Sequence, residues 1–141
     1  MDQDASLYQF EGKLHIPTPG ITDQGWDVFT EPVCLVPPGD SSALASALQH
    51  TLDAAPVMFS HAQVLARRLP VVVRAASARS WRAFASASRS WSVGVKDGTV
   101  WATPHLLDDD TFIQGVDARE ELGAFGAWDT VALRLLRVIE N

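Results

Sequence analysis

The stretch "WSVGVKDGTVWAT", Trp91 to Thr103, decides how this chain is read. Asp97-Gly98 is a dipeptide of type I′ turns, and alternating apolar residues flank it. Counting outward pairs Val95 with Val100, Gly94 with Trp101 and Val93 with Ala102. One face of this hairpin then carries Trp91, Val93, Val95 and Val100, and it must be core. The other face sets Trp101 over Gly94, between Ser92 and Thr103. A large ring there is expected to be covered, because contiguous exposed apolar surface is uncommon on a monomer.

Other elements follow outward from this hairpin. "LYQFEGKLHI" (7–16) reads as a second hairpin turning at Gly12, with Tyr8/Phe10 and Leu14/Ile16 alternating. "IPTPGITDQG" (16–25) is rich in breakers and reads as a loop. "WDVFTEPVCLVPPG" (26–39) supplies one or two strands, interrupted at Pro32. Asp40 or Ser41 can cap a helix whose Leu44, Leu48 and Leu52 fall at i, i+4, i+8. Pro56 ends it. A short helix is expected near 61–68, then an apolar strand at Val71-Val72-Val73. Ser77 reads as the next cap, before a helix with Trp81 and Phe84 on one face and Arg79, Arg82, Ser86 and Arg89 on another. "HLLDDD" (105–110) leads into a short strand, Thr111 to Gln114. "GVDAREELGAFG" (115–126) reads as a connection. A last helix runs from about Trp128 to Glu140, burying Trp128, Val131, Leu135 and Val138/Ile139 and exposing Thr130, Arg134 and Arg137. Its late arginines suit the negative end of the helix dipole.

The fold expectation is α+β, with residues 1–141 forming a single domain: a mixed or antiparallel central sheet with about three packed helices. At 141 residues and 47% hydrophobic content, roughly two-thirds of the unfolded surface can be buried. No apolar run approaches a membrane span, so no membrane is expected. The N-terminus "MDQDASLYQF" has acids where a secretory leader has bases and an apolar run, which points to the cytoplasm. The lone Cys34 excludes an internal disulfide, and its apolar neighbours predict a buried, inert thiol.

Charge is segregated along the chain. Residues 1–66 hold one base and eight acids; residues 67–96 hold seven bases and no acid; residues 97–141 hold three bases and nine acids. The net charge is −6. The basic middle either neutralises its neighbours in the fold or forms a separate surface.

Little in the sequence points to catalysis. His15, His50, His61 and His105 fit no metal-binding spacing, and no second cysteine exists. Asp108-Asp109-Asp110 lacks the alternate spacing and the glycine of a calcium loop. There is no nucleophile elbow and no glycine-rich phosphate loop. Neither a catalytic residue, a metal nor a cofactor is expected. Arg79, Arg82 and Arg89 near Trp81 and Trp91 mimic a nucleic-acid patch, but much of an acidic protein repels phosphates, so direct nucleic-acid binding is not expected. Acidic clusters instead suit a basic protein partner, such as a nuclease. The candidate partner-binding residues are Asp108, Asp109, Asp110, Asp117, Glu120 and Glu121, with Trp101 as an aromatic anchor.

One resemblance extends this reading. The run "SWRAFASASRSWSVGVKDGTVWATPH" (80–105), followed by an acidic connection with Glu121-Leu122-Gly123 and a C-terminal helix, resembles the immunity proteins of bacterial contact-dependent growth inhibition systems. The resemblance covers roughly residues 60–140. It implies a cytoplasmic non-enzyme that binds the toxin domain of a cognate effector, often a nuclease, and blocks its active site or an exosite. It transfers no residue roles. A nucleic-acid-associated regulator using the arginine face, and a small enzyme with a dispersed site, are the alternatives.

Overall fold

A computed structural model of the chain describes residues 4–25, 27–53, 57–60 and 70–140. Their strands are β1 (Ala5–Phe10), β2 (Lys13–Thr22), β3 (Asp27–Val36), β4 (Val57–Phe59), β5 (Arg89–Lys96), β6 (Thr99–Asp108), β7 (Thr111–Gln114) and β8 (Glu120–Ala124). The described helices are α1 (Ser41–Asp53), α2 (Val71–Ala75), α3 (Trp81–Ser86) and α4 (Trp128–Glu140), with a 3-10 turn at Val116–Ala118. All eight strands form one sheet, in the order β3-β2-β1-β5-β6-β7, with β4 beside β2 and β8 beside β6. Every pairing is antiparallel except β2–β4. The expected α+β architecture is therefore present, with a mixed sheet.

Two local turns set the registers. Glu11-Gly12 and Asp97-Gly98 both lie in the left-handed region, as a two-residue turn matched to strand twist requires. The second turn pairs Val95 with Val100, Gly94 with Trp101 and Val93 with Ala102, as the sequence predicts.

The sheet has two covered faces. On one, Ala5, Leu7, Leu14, Ile16, Trp91, Val93, Val100, Ala102 and Leu122 meet α1 and α4. Leu44, Leu48 and Leu52 of α1 and Trp128, Val131, Leu135 and Ile139 of α4 complete this core. Asp40 caps α1: its Oδ1 accepts the Ala43 N–H at 2.9 Å. On the other face, Tyr8 packs with Val72 and Val73 of α2 and Phe84 of α3, with Phe10, Trp81 and Phe112 partly buried around them. Tyr8/Phe10 and Leu14/Ile16 thus face opposite sides, and both sides are core. The Tyr8 phenol is pushed up to about 12 by this burial.

Four local expectations need correction. Val71-Val72-Val73 is the start of helix α2 and not a strand. Pro70 sets the first turn, and all three valines are buried, Val72 and Val73 in the second core, so packing overrides β-propensity. The cap of α3 is Ser80 rather than Ser77: its hydroxyl accepts the Ala83 N–H at 3.1 Å. Pro17 and Pro19 lie within β2 and not in a loop. Being two apart they share one edge, which leaves the other edge its full set of donors. Pro32 does not split β3 either. Between Pro17 and Thr18 the register passes over Glu31 and Pro32 as a bulge, where the Thr18 hydroxyl donates to the Pro32 carbonyl at 2.7 Å. The helix expected near 61–68 lies outside the described residues.

Candidate partner-binding edge

β6 organises this region. Its first half pairs with β8 and its second half with β7, both on the edge away from β5. β8 corrects a further expectation, since Glu120–Ala124 lies in the stretch read as a connection. Its alternation is masked because only Leu122 faces the core.

The three aspartates have a structural explanation. Asp108 pairs with Thr111, and Asp109-Asp110 form the tip of the β6–β7 hairpin. Asp109 has a φ of 55°, a left-handed conformation that Asp tolerates better than most side chains. Asp110 is tied to the second core. Its carbonyl accepts the Trp81 indole N–H at 2.6 Å, and its carboxylate lies 3.5 Å from Arg82 Nε. Both partners of that ion pair are substantially exposed, so it contributes little to stability. Asp108 and Asp109 are exposed and have no ion-pair partner among the described residues.

The remaining predicted residues spread over the same edge. Asp117 is exposed on the 3-10 turn, and Glu120 and Glu121 are exposed on β8. Trp101 pairs with Gly94 on one side and Glu121 on the other, so the fold brings Trp101 and Glu121 together. Trp101 is half-buried, and among the described residues its cover is a side chain and not a helix. The Arg119 guanidinium lies 4.9 Å from the ring centroid, a cation–π contact. Asp4, Ser92, Gly94, Thr103, Gln114 and Arg119 help line a depression of about 370 Å³ around it. Arg119 is a residue that the sequence did not single out. Only recognising β8 could have placed it beside Trp101.

A second unanticipated feature lies on the opposite face. Leu106 pairs with Ile113 across the β6–β7 hairpin. They are 64% and 48% exposed, and Val116 on the following turn is 55% exposed. Leu106 shares its face with the buried Val100 and Ala102, by the two-residue period of a strand, yet α1 and α4 leave it uncovered.

The basic stripe of Arg79, Arg82 and Arg89 does not exist as a helix face. Arg79 precedes α3, Arg82 lies within it, and Arg89 opens β5. Arg82 is paired with Asp110. Arg89 donates to the Ile139 carbonyl at 2.8 Å and lies 4.8 Å from the Trp91 ring centroid, which ties β5 to the end of α4. Cys34 is exposed, against the expectation of burial, and its surroundings push the thiol pKa up rather than activating it. His105 bonds to the Ser90 hydroxyl at 2.8 Å, and burial holds its imidazole below the ordinary value. Among the described residues no group of three or more His, Cys, Asp or Glu is placed to hold a metal. No described helix is long and apolar enough to cross a membrane.

No protein-family profile and no curated protein matches this chain. Solved structures share its fold, two of them as follows. One is a protein of unknown function from Neisseria meningitidis, with a TM-score of 0.72 and 13% identity, covering 99% of this chain and 95% of that one. The other is a chain of the CdiA-CT/CdiI toxin and immunity complex from Yersinia pseudotuberculosis, with a TM-score of 0.69 and 9% identity, covering 99% of this chain and 97% of that one. At such identities the likeness is one of fold, and it extends over essentially the whole chain.

Proposed function

We propose that this chain is an immunity protein that binds and neutralises the toxin domain of a contact-dependent growth inhibition effector, in the cytoplasm, by occlusion and not by catalysis. The carrying observation is the full-length fold likeness to a chain of a toxin and immunity complex. It adds to the resemblance of residues 60–140, which rests on separate grounds, namely aromatic and turn patterns.

The electrostatics favour a basic partner and, among toxins, a nuclease. Asp108, Asp109, Asp110, Asp117, Glu120 and Glu121 all lie along the β6–β7–β8 edge, and all are exposed. Such a field accelerates encounter with a cationic surface and repels the phosphates that a nuclease binds. The alternative of a nucleic-acid regulator loses its supporting feature, because the arginines do not share one helix face.

Co-expression with the effector domain encoded directly upstream tests this reading. Growth should be rescued and the two chains should co-purify. Continued killing with no complex refutes it. A second measurement addresses the acidic tip. Asp108→Asn, Asp109→Asn and Asp110→Asn together keep the turn, since Asn also tolerates the left-handed region, and they keep the backbone bond to Trp81. They should slow association about tenfold at low salt and flatten its salt dependence. An unchanged dissociation constant and salt slope would remove the tip from the interface.

A further inference from the structure

The acidic edge has an uncovered apolar centre, and it is not Trp101. Leu106 and Ile113 are cross-strand partners and share one face of the β6–β7 hairpin. Gly115 then turns the chain back on β6, its N–H donating to the Pro104 carbonyl at 2.7 Å. A Cβ at Gly115 would stand 3.8 Å from Leu106 Cγ, so this turn packs directly against that side chain. The next residue is the exposed Val116. Leu106, Ile113 and Val116 together expose on the order of 300 Å² of apolar surface, the size at which a patch on a monomer begins to mark an interaction site.

Acids frame this patch. Asp108 lies two residues beyond Leu106 along β6, on the same face, and Asp109 follows at the tip. Asp117 follows Val116 on the turn. None of the three has an ion-pair partner among the described residues. Asp110, by contrast, is paired on the other face. On the β5 side the register sets Arg89 opposite Leu106, held there by the Ile139 carbonyl and the Trp91 ring. An apolar centre bordered at its tip and turn by unpaired acids is the anatomy of a protein interface, with the apolar part supplying binding energy and the rim supplying complementarity. Trp101 does not belong to this surface. It faces the other side of the sheet, under Arg119, whose positive charge suits a cationic partner poorly.

We infer that Leu106, Ile113 and Val116 form the anchoring centre of the surface that binds the toxin domain, with Asp108, Asp109 and Asp117 as its rim. The inference rests on the immunity reading and goes beyond it by assigning one face of the hairpin to the partner. The occupant is an apolar protein surface bordered by Lys or Arg.

The test titrates the full chain with the catalytically inactivated effector domain encoded directly upstream. Leu106→Ser/Ile113→Ser changes exposed positions and leaves the charge intact. It should raise the dissociation constant about 30-fold or more, as loss of a hot spot does. Val116→Ser should weaken binding in the same direction while leaving both strands untouched. Trp101→Ser/Arg119→Ser, on the opposite face, should change binding less than about threefold. A circular-dichroism melt establishes folding of each variant. If the unaltered chain binds tightly while Leu106→Ser/Ile113→Ser and Val116→Ser bind equally well, the patch assignment is overturned and the immunity reading survives. Loss of binding in Trp101→Ser/Arg119→Ser alone overturns the patch in the same way. If the unaltered chain does not bind the domain, both fall together.

Discussion

Replacing Phe84 by alanine tests whether the second face of the sheet is a true core. Phe84 is fully buried, and its ring centroid lies 5.1 Å from Phe10, 5.5 Å from Tyr8, 5.9 Å from Trp81 and 6.2 Å from His15. Three of these neighbours are fixed by the β1–β2 hairpin, so the site cannot collapse when the ring is removed. Phe-to-Ala changes in such cores cost about 3–5 kcal/mol. One neighbour lowers this cost. His15 Nδ1 is buried and has no hydrogen-bond partner among the described residues. Water entering the new cavity can bond to it, which offsets part of the loss. The expected cost is therefore about 3 kcal/mol, a large share of the roughly 5–15 kcal/mol that stabilises a domain. The melting temperature should fall by roughly 10 °C. Urea unfolding followed by far-ultraviolet circular dichroism reads the change as a lower midpoint with an unchanged slope. Leu133→Ala, at a half-exposed position on α4, is the control and should stay within about 0.5 kcal/mol. A loss below about 1 kcal/mol at Phe84 would mean that α3 is not seated on the sheet, and the tie from Trp81 to the Asp110 carbonyl would lose its support.

Two further predictions concern the turns and the histidines. Gly98 has a φ of 76° and open space around its missing Cβ, so Gly98→Ala should cost about 1 kcal/mol from backbone strain alone, and Gly98→Asn clearly less; equal stability of the two in urea would contradict the turn geometry. Burial holds the His15 imidazole below its ordinary value of 6.5. The unfolded chain therefore takes up a proton first as the pH falls. Stability should be fully present above about pH 6.5 and decline as the pH drops toward the folded value, by at most about 1.4 kcal/mol per unit from this group. His105 shifts in the same direction and adds to the slope. His15→Phe should flatten the decline, and urea midpoints at pH 7.5 and 5.0 that fall as steeply as in the unaltered chain would refute the assignment.

The sequence by itself determined the elements whose causes are local. Asp97-Gly98 and Glu11-Gly12 set two hairpins and their registers, because only a few residue types accept the left-handed turn. The leucine stripe of α1 and the apolar stripe of α4 announced two helices facing one core. The acidic tip was legible as a solvated turn rather than a metal site. Tertiary structure decided everything that depends on a neighbour. Val71–Val73 became helical because a covered face waits for them on the sheet, and Glu120–Ala124 became a strand because β6 has a free edge to pair. The arginines were dispersed because α3 is shorter than its sequence pattern suggests. The candidate edge was divided in the same way. Alternation along β6 puts Asp108 on the face of Leu106, and the left-handed turn at Asp109 ends that alternation, so a run read as one acidic cluster became Asp108 beside Leu106 and Ile113, and Asp110 held by Trp81 and Arg82. Periodicity can place a residue on a face. Which faces are covered depends on the packing of helices distant in sequence, and that left this apolar patch in the open.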